Sequence, residues 1–93
     1  MKEAIQEIIE EVHLRVAKDY KKMNIKQLSG ELRGAMEFER EIFQKIENLE
    51  KNGAENELTH YAKVVCKNTT GREISEIQEV YLEKIDAEYL GSN

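Results

Sequence analysis

Apolar residues return every three or four positions through most of this 93-residue chain, and no proline interrupts them. That spacing gathers apolar side chains on one side of an α-helix, whereas a half-buried strand alternates every second residue. Proline in a helix interior removes a hydrogen bond and clashes with the preceding turn, so its absence leaves long helices unopposed. Aromatic residues make up 6% of the chain and charged residues 35%. A sandwich or barrel needs many turns and β-branched strands, which this composition does not supply. The fold class is therefore all-α, and a chain of this length makes one domain, residues 1–93.

Local punctuation divides the chain into four helices. The first spans about 2–22, with Ile5, Ile8, Ile9, Val12, Val16 and Tyr20 forming its stripe. Glu3 and Glu7 lie early in it while Lys18, Lys21 and Lys22 lie late, the order that complements the helix dipole. Asn24 and Gln27 form a capping box that opens the second helix, about 25–52. Its apolar members are Ile25, Leu28, Leu32, Met36, Phe38, Ile42, Phe43, Ile46 and Leu49, a face wide enough to touch two neighbours. Ser29-Gly30 is the point at which this helix can break, and Asn52-Gly53 supplies its stop. A third helix runs about 54–67, with Leu58, Tyr61, Ala62 and Val65 inward. Asn68-Thr69-Thr70-Gly71 ends it, and Thr70 with Glu73 caps a fourth at about 71–90. Ile74, Ile77, Tyr81, Ile85 and Tyr89 give that last helix its buried stripe. Short connections place consecutive helices antiparallel, so the expected architecture is an up-down four-helix bundle. A chain this small buries only about 60–65% of its unfolded surface. Its core is thin, and a homodimer is one way to enlarge it.

The net charge of −5 is unevenly placed. Residues 1–23 balance five basic against five acidic side chains, whereas residues 73–88 hold six acidic residues against Lys84 alone. Glu76, Glu79, Glu83 and Asp86 form an unbroken acidic stripe at helical spacing. Like charges three and four apart on a helix repel by roughly 0.2–0.5 kcal/mol per pair, so ordinary helix chemistry does not ask for this stripe. A partner with a basic surface would turn that repulsion into attraction. A negative chain repels a phosphate backbone, which argues against nucleic acid. The start, Met1-Lys2-Glu3-Ala4-Ile5-Gln6-Glu7, is too acidic and interrupted for a signal peptide. No apolar run approaches the ~18 residues of a membrane span. The lone Cys66 cannot form an internal disulfide, and a cytoplasmic location is expected.

Candidate chemistry is sparse. Two Glu-x-x-His spacings, Glu10 to His13 and Glu57 to His60, hold the only histidines. Metal ligation in a bundle core requires both residues of such a pair to point inward. Glu10 and His60 fall away from their apolar stripes, so no metal or other cofactor is expected. Glu73-x-x-Glu76 and Glu83-x-x-Asp86 resemble the paired acidic motifs with which all-α nucleotide pyrophosphatases hold magnesium. Here both pairs fall on one helix rather than two facing ones, and no basic set for a triphosphate accompanies them. Cys66 lies at the carboxyl end of helix three, where the dipole disfavours a thiolate, and reads as buried filler. Glu39 falls on the apolar face of helix two and requires a partner such as Arg33, Arg40 or a neighbouring lysine. Gly30 and Gly34 line the other side of that helix with Phe38 on the same ridge, either a broken helix start or a groove for close approach.

The function expected from these features is a non-enzymatic protein–protein interaction module of adaptor, inhibitor, immunity or chaperone type. Its partner-binding residues would be Glu76, Glu79, Glu83, Asp86, Gly30, Gly34 and Phe38, with Glu39 as a buried polar residue. One alternative is a metal-dependent nucleotide hydrolase using clustered Glu. A second is a helical DNA-binding regulator, with a helix-turn-helix at 57–85 and basic residues at Lys18–Lys26. The Ile, Lys and Glu bias suits a low-GC prokaryote or its phage.

Overall fold

A computed structural model describes residues 2–15 and 17–90. Its regular elements are all helical and, among the described residues, it contains no strand. The elements are α1 (Lys2–His13), a 3₁₀ turn (Tyr20–Lys22), α2 (Ile25–Lys51) and α3 (Asn56–Ile85), which runs on as a π-helical turn (Asp86–Leu90). Among the described residues three α-helices replace the expected four. Val16, placed by its spacing in the first stripe, lies outside the described residues.

The capping box at α2 is formed: Gln27 N donates to Asn24 Oδ1 at 2.8 Å, and Asn24 N donates to Gln27 Oε1 at 3.0 Å. The helix then continues through Ser29-Gly30 without a break. It ends where Ala54 N returns to the Leu49 carbonyl at 2.9 Å around Gly53, whose φ of +94° favours a residue without Cβ.

The expected boundary at 68–71 is absent. Asn, Thr, Thr and Gly are poor helix formers, together costing about 2–3 kcal/mol relative to Ala. Tertiary packing outweighs that cost. Thr59, Ala62, Cys66, Thr70, Ile77 and Val80 form one buried line along α3. The Thr69 hydroxyl donates back to the Val65 carbonyl at 3.1 Å, and the single Thr70 O–H is shared between the Cys66 carbonyl at 2.9 Å and the Glu39 carboxylate. The threonine side chains are therefore satisfied inside the helix rather than capping a new one. Of the residues expected inward, Ala62 lies on this line and Leu58 packs against the core, whereas Tyr61 is 59% exposed. Tyr89, expected in the buried stripe, is 71% exposed, and Val80 is buried instead.

The first helix stops at His13, nine residues short of its expected end at 22. A helix continued into solvent gains little, whereas the chain that leaves α1 buries Tyr20 to 2% exposure. Tyr20 joins Leu28, Ala35, Ile77 and Val80 in one core cluster. The other cluster joins Ile5, Ile8 and Val12 of α1 to Ile42, Ile46, Ala62 and Cys66.

Side-chain pairs fix the directions. Glu39 meets Lys67 and Thr70, and Glu50 meets Thr59 and Lys63, so α2 and α3 are an antiparallel hairpin. Glu11 meets Lys45, and Arg15 meets Glu73, so α1 runs antiparallel to α2 and parallel to α3 along part of the hairpin. The result is a rod of 58 × 19 × 16 Å.

Candidate interaction surfaces

The stripe residues Glu76, Glu79, Glu83 and Asp86 are all exposed. Among the described residues none of them takes an ion pair, whereas Glu11, Glu31, Glu39, Glu50 and Glu73 each bind a Lys or Arg from another segment. Leu82, 61% exposed, borders the stripe, and Tyr89 and Leu90 follow at 71% and 70%. The carboxyl-terminal part of α3 and its π-helical turn thus mix carboxylates that take no ion pair among the described residues with exposed apolar side chains.

Glu39 is held in the hairpin. Lys67 Nζ donates to its Oε1 at 3.2 Å, and the Thr70 hydroxyl lies 2.5 Å from its Oε2. Arg33 and Arg40 are exposed and take no part in that pairing. Lower in the hairpin, Lys63 and the Thr59 hydroxyl hold the Glu50 carboxyl below its ordinary range. The place of Glu39 on an apolar face signals its need for a partner, whereas Thr70, four residues after Cys66 and three before Glu73, carries only the signature of a cap.

A second polar centre escaped the sequence altogether. Arg15 Nε donates to both Glu73 oxygens, at 3.0 and 2.8 Å, and the Tyr20 hydroxyl donates to Glu73 Oε1 at 3.0 Å. Burial, then the hydrogen bond to Glu73, pushes the Tyr20 pKa up to about 12. The Arg15 guanidinium also lies 4.6 Å from the centre of the Phe38 ring. Phe38 is therefore half-buried against the α1 cluster and roofed by Arg15, not a free anchor. A cavity of about 140 Å³ opens beside it, lined in part by Val12, Arg15, Thr70, Arg72 and Glu76.

Gly30 and Gly34 lie exposed, and a Cβ at either would meet nothing within 4 Å. Among the described residues no other segment approaches them closely. Cys66 is fully buried, and burial pushes its thiol pKa up. Glu10, His13, Glu57 and His60 are all exposed. Among the described residues no group of three or more His, Cys, Asp or Glu converges on a metal position. Glu76 and Asp86 are ten residues apart on one helix, about 15 Å, and share no cleft. Residues 57–85 contain no turn, which removes the helix-turn-helix geometry. Among the described residues no helix is long and apolar enough to cross a membrane. No protein-family model, curated protein or solved structure matches the chain.

Proposed function

We propose that this chain is a non-enzymatic binding protein of adaptor or inhibitor type, which docks a protein partner with a basic surface on the carboxyl-terminal part of α3. The observation that carries this reading is the contrast among its carboxylates. Five are neutralised by cations from other segments, and of the exposed carboxylates that take no ion pair among the described residues, Glu76, Glu79, Glu83 and Asp86 form one row at three- and four-residue spacing on α3 and its π-helical turn. The successive contacts 76–79, 79–83 and 83–86 cost about 0.6–1.5 kcal/mol in all. A basic partner would remove that repulsion, and Leu82 and Tyr89 supply apolar contact of the kind enriched at interface cores. The glycine ridge of Gly30 and Gly34 and the roofed Phe38 are secondary in this reading, because neither presents a side chain free to grip.

The test is affinity capture with the wild-type chain and with Glu76→Gln, Glu79→Gln, Glu83→Gln combined, at low and high salt. A partner lost in the variant and weakened by salt supports the reading, since exposed charges are screened beyond roughly 8–10 Å at physiological ionic strength. Capture indifferent to both would reject it.

A further inference from the structure

The helical hairpin has two broad faces, and α1 covers only one of them. Val12 of α1 and the half-buried Phe38, Leu49 and Leu58 lie on the covered side. On the other side, Met36, Arg40, Phe43 and Glu47 follow one another at spacings of four, three and four, a single line along α2. Met36 is 42% exposed, Val64 of α3 is 46% exposed, and Phe43 is half-buried between them. Depressions of about 410 and 370 Å³ lie on either side of the Phe43 ring, walled by α2 and α3 alone.

We propose that a second copy of this chain covers this face, α2 packing antiparallel on α2 about a two-fold axis beside Phe43. Two observations select this occupant, and a third allows it. The first is charge order. Arg40 and Glu47 are exposed, take no ion pair among the described residues, and bracket Phe43 on the same line. They are seven residues apart, about 10.5 Å, too far to meet within one helix. A two-fold axis midway between them sets Arg40 of each copy against Glu47 of the other, because an isologous contact is always made twice. The second is neutrality. Lys67 with Glu39 and Lys63 with Glu50 already pair across this face. It therefore offers no net field to a nucleic acid or a strongly charged partner, and does not repel an acidic copy of itself. Glu76 lines the cavity beside Phe38, on the α1 side, so the acidic stripe begins away from the joint. The third is area. The chain exposes 6699 Å², whereas a compact protein of 10.8 kDa exposes about 5,500 Å². The excess exceeds the roughly 800 Å² each partner contributes to a standard interface. In the dimer the two hairpins make a four-helix core, and Phe43 of each copy lies at the axis against the depressions of the other.

Sedimentation equilibrium over a concentration series tests this, with circular dichroism confirming helical content in every sample. The wild-type chain is expected to reach twice 10.8 kDa. Arg40→Glu or Glu47→Arg alone sets like charges together at both contacts and raises the dissociation constant about tenfold. The combined exchange, Arg40→Glu with Glu47→Arg, recovers it to within about threefold, because the order is reversed on both copies. A wild-type chain that stays at 10.8 kDa throughout would overturn the proposal. So would a dimer indifferent to the single reversals, or one that the combined exchange fails to restore. None of these outcomes bears on partner capture through the acidic stripe.

Discussion

A carboxylate in the middle of a helical hairpin is tolerated only when its oxygens find donors, and Glu39 finds two on α3. Its 19% side-chain exposure leaves water too little access to do the work alone. Glu39→Ala and Thr70→Val should each lower stability by about 1–2 kcal/mol. The double variant should cost less than their sum, since both remove one contact. Urea unfolding of the three variants checks this, and strict additivity would mean that the Glu39–Thr70 pair contributes nothing. The exposed glycines carry the opposite expectation. An open site for a Cβ at Gly30 and Gly34 leaves only the helix-propensity difference. Gly30→Ala with Gly34→Ala should therefore raise stability by about 1–2 kcal/mol in the same assay. If a partner approaches that ridge closely, the same pair will also weaken its capture.

At the scale of elements, what the sequence made legible was local and what it hid was tertiary. The Asn24–Gln27 cap and the Asn52-Gly53 stop depend on backbone groups a few residues away, so their residue types alone specify them. The end of α1 and the continuity of α3 depend on residues about 30 to 60 positions distant. Thr70 reads as a cap until Glu39 lies opposite it, and Lys18–Lys22 reads as a helix end until Tyr20 finds Glu73. Small buried residues deepen the problem, because Ala62 and Cys66 pack against the larger Ile42 and Ile46, with Thr59 and Thr70 on the same buried line, without producing a strong apolar stripe. The segment between α1 and α2 consequently has a pH signature. The folded state raises the Tyr20 pKa, so it favours the protonated phenol. Its contribution is complete below the ordinary 10.0 and is lost as pH rises toward about 12. Tyr20→Phe should cost about 1–2 kcal/mol at neutral pH and flatten the alkaline decline. Thermal melts at pH 8 and across the alkaline range, about 10 to 12, check both, and an unchanged alkaline slope would show that Tyr20 is not the group responsible.

Across the whole molecule, the rod shape determines where stability resides. A compact chain of this length has a radius of gyration of about 12 Å, whereas this one has 16.4 Å. The two core clusters lie in series along the hairpin, one under α1 and one under Tyr20. Beyond them α3 carries no buried residue after Val80, and its π-helical turn at Asp86–Leu90 is fully exposed. The proposed partner surface therefore occupies the least supported part of the fold, the usual place for segments that adjust on binding. Amide hydrogen exchange should be slowest at Ile42–Ile46 and Ala62–Cys66, where helices pack on both sides, and fastest beyond Leu82. Neutralising Glu79, Glu83 and Asp86 to their amides removes the repulsion without adding a core contact. It should slow exchange at the end of α3 by a few-fold, consistent with about 0.2–0.5 kcal/mol for each relieved pair, and leave the clusters unchanged. Uniform slowing along the rod would instead mean that the stripe destabilises the fold globally. Its repulsion would then be a property of the whole chain rather than a local tension that a partner relieves.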